Sequence, residues 1–136
     1  ALDAMQIVLR GRVQSGKNDA SRWLGLFNEA YSRKLGAAIY PGSLNLALDH
    51  AFDWSAPYFQ PHMIQFQRGE YGGERDIVLL PCVLANLGHR KAWLWSTTTA
   101  AKSRPDPHVV EIICGVKLRE AYALGDGDFV QFELPA

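Results

Sequence analysis

Ser43 and Asn45 stand two residues apart in YPGSLNLAL, residues 40–48, among leucines at 44, 46 and 48. Pro41 and Gly42 turn the chain just ahead of them. In an extended strand, residues two apart face the same side. A hydroxyl oxygen and an amide oxygen can therefore converge on one point. Two neutral oxygens suit Mg2+ only when phosphates supply the remaining negative charge. That is how a nucleotide-borne metal is held. The competing reading is a pair of side chains that hydrogen-bond the backbone of a tight turn.

Three further features bear on chemistry. SGKND, residues 15–19, lies between a strand pattern and the start of a helix pattern, where outward-pointing amides and a positive dipole end favour phosphate. Lys17 adds charge there, although the stretch is no Walker A sequence and reads equally as a capped strand-to-helix connection. Glu111 interrupts the apolar run of HVVEIICGV, so it either faces solvent or binds something. Val109 and Ile113 share its face, which suggests a cleft where a flat ring lies on the apolar pair. Arg119, in KLRE, sits one turn into a short helix pattern, where arginines commonly face solvent. His62, His89 and His108 are far apart and form no zinc-ligand set, and no nucleophile motif occurs.

The elements that must position these residues are mostly strands. MQIVLRGRV (5–13), HMIQFQ (62–67), IVLLPCVL (77–84), RKAWLWSTTT (90–99), HVVEIICG (108–115) and FVQFEL (129–134) have strand patterns, and AAIYPGSLNLAL reads as extended, turn, extended. Pro81 requires a bulge or an edge in its strand. One strong helix is expected: Ala20, Trp23, Leu24, Phe27, Ala30, Tyr31 and Leu35 form a stripe at helical spacing, with Asn18 or Asp19 at its start and Gly36 just past its end. VKLREAYAL predicts a short second helix, RGEYGGERD a turn, AKSRPDP a loop, and residues 49–61 an irregular segment rich in aromatics. The fold expected is mainly β, a closed barrel with a helix packed on it.

Bulk properties narrow the function. The 136 residues, 48% hydrophobic and 21% charged, suit a single domain with one core. Fourteen basic residues balance fourteen acidic ones, which argues against nucleic-acid binding through phosphate neutralisation. No apolar run reaches the roughly 20 residues of a membrane span, and no secretory leader is read. Cys82 and Cys114 lie in apolar runs and read as buried, reduced thiols of a cytoplasmic protein.

Taken in order, GRVQSG, a helix, YPGSLNLAL, VVEIICGVKLRE and LGDGDFVQFEL resemble the archaeal-type CTP-dependent riboflavin kinases. The resemblance covers most of the chain and is weakest over residues 49–75. It implies a small six-stranded cradle-loop β-barrel with one long and one short helix, spanning residues 1–136 as one domain. It implies transfer of the CTP γ-phosphate to the riboflavin 5′-hydroxyl, giving FMN and CDP, with Mg2+ as the metal of the nucleotide complex. The metal ligands carried over are Ser43, where the family has threonine, and Asn45. The nucleotide loop falls on Gly16, Lys17, Asn18, Asp19, Ala20 and Ser21, and the second nucleotide contact on Val116, Lys117, Leu118 and Arg119. The flavin contacts fall on Ser103 and Glu111, and Glu111 is the candidate proton acceptor. The family's loop carries three glycines, of which only Gly16 is present here. A non-catalytic flavin- or nucleotide-binding module on the same barrel is therefore the alternative reading.

Overall fold

A computed structural model describes residues 7–16, 19–103 and 106–135. Seven strands alternate with short helices: β1 (Ile7–Gln14), α1 (Asp19–Leu35), β2 (Leu44–Leu48), a 3₁₀ segment (Pro57–His62), β3 (Ile64–Phe66), α2 (Arg68–Tyr71), β4 (Ile77–Leu84), β5 (Arg90–Thr97), α3 (Thr98–Lys102), β6 (Val109–Ile113), α4 (Leu118–Ala121) and β7 (Phe129–Leu134). Six of the strands close a ring in the order β4-β5-β6-β2-β1-β7 and back to β4, with every pairing antiparallel. This is the expected closed six-stranded barrel. β3 is an extra strand on the edge of β4, paired at Ile77–Leu79, while β7 takes the same edge at Val83 and Leu84. Pro81 lies between those two pairings, where a residue without an amide hydrogen interrupts the ladder least.

Side-chain alternation makes the barrel. Leu44, Leu46 and Leu48 of β2, Leu80 and Leu84 of β4, Val110 and Ile112 of β6, and Phe132 of β7 share the interior core. Phe52, Trp54, Ala56 and Phe59 join it, so the irregular segment after β2 is a plug of aromatic side chains rather than a surface loop. The alternate residues Ile77, Leu79, Trp93, Trp95 and Ile113 lie outside the barrel, under Ala20, Leu24 and Tyr31 of α1. β4 is thus buried on both faces, which is why IVLLPCVL reads as continuously apolar instead of alternating. The Trp95 indole N–H donates to the Tyr31 hydroxyl at 2.9 Å, which satisfies both polar atoms in this second core. Gly36 closes α1 in the left-handed region, at φ +70.

The differences from the expected elements are local. Residues 37–40 carry no strand pairing. Residues 68–71, expected as turn, form α2 because Gln67 and Glu70 make a reciprocal capping box and Gly72 ends it at φ +79. Thr98–Lys102, read as strand end and loop, form α3, where the Thr97 hydroxyl caps the Ala100 amide. The barrel therefore carries several short helices instead of one. Among the described residues, no helix is long and apolar enough to cross a membrane.

Candidate functional site

The register of the barrel sets out a row of side chains. Gln14 of β1 pairs with Asn45 of β2, Asn45 with Glu111 of β6, and Glu111 with Trp95 of β5. The start of α1 covers this outer face. Asn45 is 4% exposed and Glu111 is 6% exposed, and with Ser96 they are the buried polar or charged residues among those described. Ser43 immediately precedes β2, after a tight turn in which the Gly42 amide bonds the Tyr40 carbonyl at 2.8 Å. Its hydroxyl donates to Glu111 Oε1 at 2.8 Å. The Ala20 amide, in the first turn of α1, donates to the same oxygen at 3.2 Å. That amide has no intrahelical acceptor, and a carboxylate complements the positive end of the helix.

Gly16, just past β1, lies against Asn45. A Cβ at position 16 would stand 2.4 Å from Asn45 Nδ2, so only glycine lets the backbone approach the amide this closely. With Nδ2 turned toward Gly16, the Asn45 carbonyl oxygen is on the opposite side of its amide.

A cleft of about 280 Å3 opens at this end of the barrel. Ser43 and Asn45 line it, as do Ser21 from α1 and the stretch Val116, Lys117, Leu118 and Arg119. Residues from three stretches that the resemblance singled out thus meet at one mouth. Arg119 is held in place: its guanidinium donates to Asp126 Oδ1 at 2.7 Å, and Ser15 donates to the same carboxylate at 3.0 Å. Hydrogen bonds first from Arg119 and then from Ser15 keep the Asp126 carboxyl below the ordinary aspartate range. Lys117 lies 3.5 Å from Glu120 in an exposed ion pair.

Not every expected site residue lines the cleft: Ser21 does, whereas Gly16 and Glu111 adjoin it only through Asn45 and Ser43. Lys17 and Asn18 lie outside the described residues. Asp19, Ala20 and Ser21 belong to α1 and not to a loop, and Ala20 is fully buried. Ser103 follows α3 as its exposed C-cap and does not line the cleft, although its neighbour Lys102 borders a smaller hollow of about 160 Å3. The argument for a flat ring over Val109 and Ile113 is corrected, because Ile113 is fully buried beneath α1. That face is apolar because a helix packs on it.

Sequence reasoning missed Gln14, Tyr40 and Cys114, which also line the cleft, as does Ser15 of the SGKND stretch. Only their proximity in sequence to Gly16, Ser43 and Val116 hinted at this. Cys82 and Cys114 are both free and buried, as expected. Burial raises both thiols above their ordinary range, and for Cys114 a hydrogen bond to the Val116 carbonyl partly offsets the rise. Among the described residues no group of three or more His, Cys, Asp and Glu could hold a metal ion. Ser43 and Asn45 are oxygen donors at the cleft, and the Glu111 carboxylate adjoins Ser43.

A family model named CTP-dep_RFKase, described as Domain of unknown function DUF120, matches residues 13–134. The riboflavin kinase of Methanocella arvoryzae is 30% identical over 134 residues, covering 93% of this chain and 56% of its own length. That of Pyrobaculum islandicum is 29% identical over 142 residues, covering 96% of this chain and 61% of its own length. That of Aeropyrum pernix is 29% identical over 130 residues and is covered over 95% of its length. The chain therefore spans about three-fifths of the first two relatives and nearly all of the third.

Proposed function

The chain belongs to the CTP-dep_RFKase family, and from that premise we propose that it is a riboflavin kinase that uses CTP to make FMN. The observation that carries this reading is the convergence of Ser43, Asn45 and residues 116–119 at one mouth of the barrel, with Glu111 hydrogen-bonded to Ser43. The relatives' name, riboflavin kinase, supports riboflavin as acceptor, and the family's own name supports CTP as donor.

The donor set fits a metal that arrives with its nucleotide. Ser43 and Asn45 offer neutral oxygens in a cleft, and among the described residues no acidic cluster stands with them, so nucleotide phosphates would supply the remaining negative charge. Ser43 and Asn45 would hold Mg2+, which when bound would neutralise the charge that develops on transfer. The chain's own residues would do the positioning, which is most of the catalysis in phosphoryl transfer. Val116–Arg119 would line the nucleotide, with Arg119 held toward the phosphates by Asp126. The amides at the start of α1 would lie beside the triphosphate, with Gly16 letting the backbone approach Asn45. Glu111 would receive the ribityl hydroxyl. In the transfer, the 5′-oxygen bonds the γ-phosphorus, the β–γ bridge breaks, CDP leaves, and Glu111 takes the hydroxyl proton.

The non-catalytic alternative rested on missing glycines at 18 and 20. Ala20 is a buried helical residue whose amide bonds Glu111, so a glycine there is not needed for a loop to wrap phosphate. The test is FMN formation from riboflavin and Mg2+ with each of CTP, ATP, GTP and UTP. CTP is expected to support turnover best. No FMN with any donor would overturn the reading.

A further inference from the structure

The geometry points to Glu111 as the positioning residue for the metal ligand Ser43, in addition to any contact with the acceptor. This rests on the reading that Ser43 and Asn45 hold a metal nucleotide. A serine hydroxyl has one proton and two lone pairs. Left to rotate beside a triphosphate, it can donate that proton to a phosphate oxygen and so turn away from the metal. Here the proton has a committed acceptor, because Ser43 Oγ donates to Glu111 Oε1 at 2.8 Å. The lone pairs of Ser43 then point away from Glu111, where a cation can use them. An anionic partner also makes the hydroxyl oxygen a better donor to a metal.

Glu111 is well placed for this role. It sits in the middle of β6, 6% exposed, with neighbouring strands on both sides and its register partner Asn45 the second ligand. Its Oε1 also accepts the Ala20 amide at 3.2 Å. One oxygen therefore ties the first turn of α1, which follows the 15–18 connection, to the ligand on β2. Glu111 sets the metal–nucleotide geometry before the flavin arrives, and the two substrates are coupled through it. If Glu111 served the acceptor alone, nucleotide binding without flavin would be indifferent to it.

The experiment measures Mn2+·CTP binding without riboflavin, by the paramagnetic signal of free Mn2+, in wild type and in Ser43→Ala, Glu111→Ala, Glu111→Gln and the Ser43→Ala/Glu111→Ala double variant. Glu111→Ala is expected to weaken binding about tenfold, the scale of losing a partner that orients a metal ligand. Glu111→Gln keeps a carbonyl for the Ser43 proton and is expected to stay within about threefold of wild type, while the double variant is no weaker than Ser43→Ala alone. Melting curves establish which variants fold. Glu111→Asp, which keeps the charge but withdraws the oxygen by one methylene, replaces the alanine variant if that one does not fold, and is expected to lose affinity likewise. Wild-type affinity in Glu111→Ala or Glu111→Asp, or losses that multiply in the double variant, would overturn the positioning role. Failure of the wild type itself to bind Mn2+·CTP would overturn the kinase reading and this role with it.

Discussion

Gly16→Ala isolates the placement of Asn45. The position is exposed and lies outside the left-handed region, so alanine is compatible with its backbone. Among the described residues, the three heavy atoms nearest the added methyl all belong to Asn45: Nδ2 at 2.4 Å, the side-chain carbonyl carbon at 3.0 Å and Cβ at 3.6 Å. To restore ordinary van der Waals contact, the amide must retreat by about 1 Å, and Asn45 has little room because it is 4% exposed. A displacement of that size at a positioning group costs about 10²-fold in rate, or about 2.7 kcal/mol of barrier. Displacing the buried Asn45 is expected to cost about 1–3 kcal/mol of stability as well, with the protein still folded. The assay is steady-state FMN formation with saturating riboflavin, with melting curves beside it. Gly25→Ala is the control. It sits in α1 with nothing within 4 Å of its added Cβ, and is expected to leave turnover unchanged while raising stability by about 0.5–1 kcal/mol. Turnover of Gly16→Ala within twofold of wild type, with an unchanged melting curve, would refute the claim that Asn45 must stand where Gly16 lets it.

The other predictions concern single groups. Asn45→Ala is expected to lower turnover by about 100-fold while the protein still melts cooperatively, as loss of a metal ligand should; near-wild-type turnover contradicts the metal role. Tyr31→Phe leaves the Trp95 N–H buried without its acceptor and is expected to cost about 1–3 kcal/mol, read by denaturant titration. Burial, the largest influence on Tyr31, raises its hydroxyl pKa well above the ordinary 10.0. The folded state thus keeps a proton that the unfolded state releases. That contribution is fully present below pH 10 and is lost as pH rises beyond it, so wild type should lose stability more steeply there than Tyr31→Phe. Asp126 has the opposite sign. Its pKa is lowered below 3.8 by Arg119 and then Ser15, so its contribution is present above that pH and lost as pH falls further. Wild type should out-melt Asp126→Asn at pH 6, and the two should converge in acid; a constant gap contradicts the ion pair.

The barrel was legible because its strands carry period-two patterns and the chain has one long amphipathic helix. Leu44, Leu46 and Leu48 face the interior as their alternation requires. The helix stripe found its partner on the outer faces of β4 and β5, which also explains the unbroken apolar run 77–84. Ser43, Asn45 and Glu111 were legible as polar interruptions of apolar strands. The reason first attached to Glu111 was different, because the helix that covers Ile113 is 91 residues away from Glu111 at Ala20, and no local pattern encodes that contact. The Gly16–Asn45 approach was hidden for the same reason, since it depends on the β1–β2 register. The hold of Asp126 on Arg119 and Ser15 needed the turn before β7, where the Gly127 amide bonds the Val13 carbonyl at 2.7 Å. The helices α2 and α3 were missed because each is a single turn whose cap, Gln67 or Thr97, belongs to strand-like sequence.

The most direct measurement follows the phosphoryl group itself. CTP labelled in its γ-phosphate is mixed with riboflavin, Mg2+ and an excess of enzyme, and the label is traced by chromatography over a single turnover. Phosphoryl transfer at the Ser43–Asn45–Glu111 cleft predicts that the label appears in FMN, one for each CDP formed, and that Asn45→Ala fails to move it. Label that stays in CTP, or that appears only as inorganic phosphate while riboflavin is untouched, would contradict the central claim.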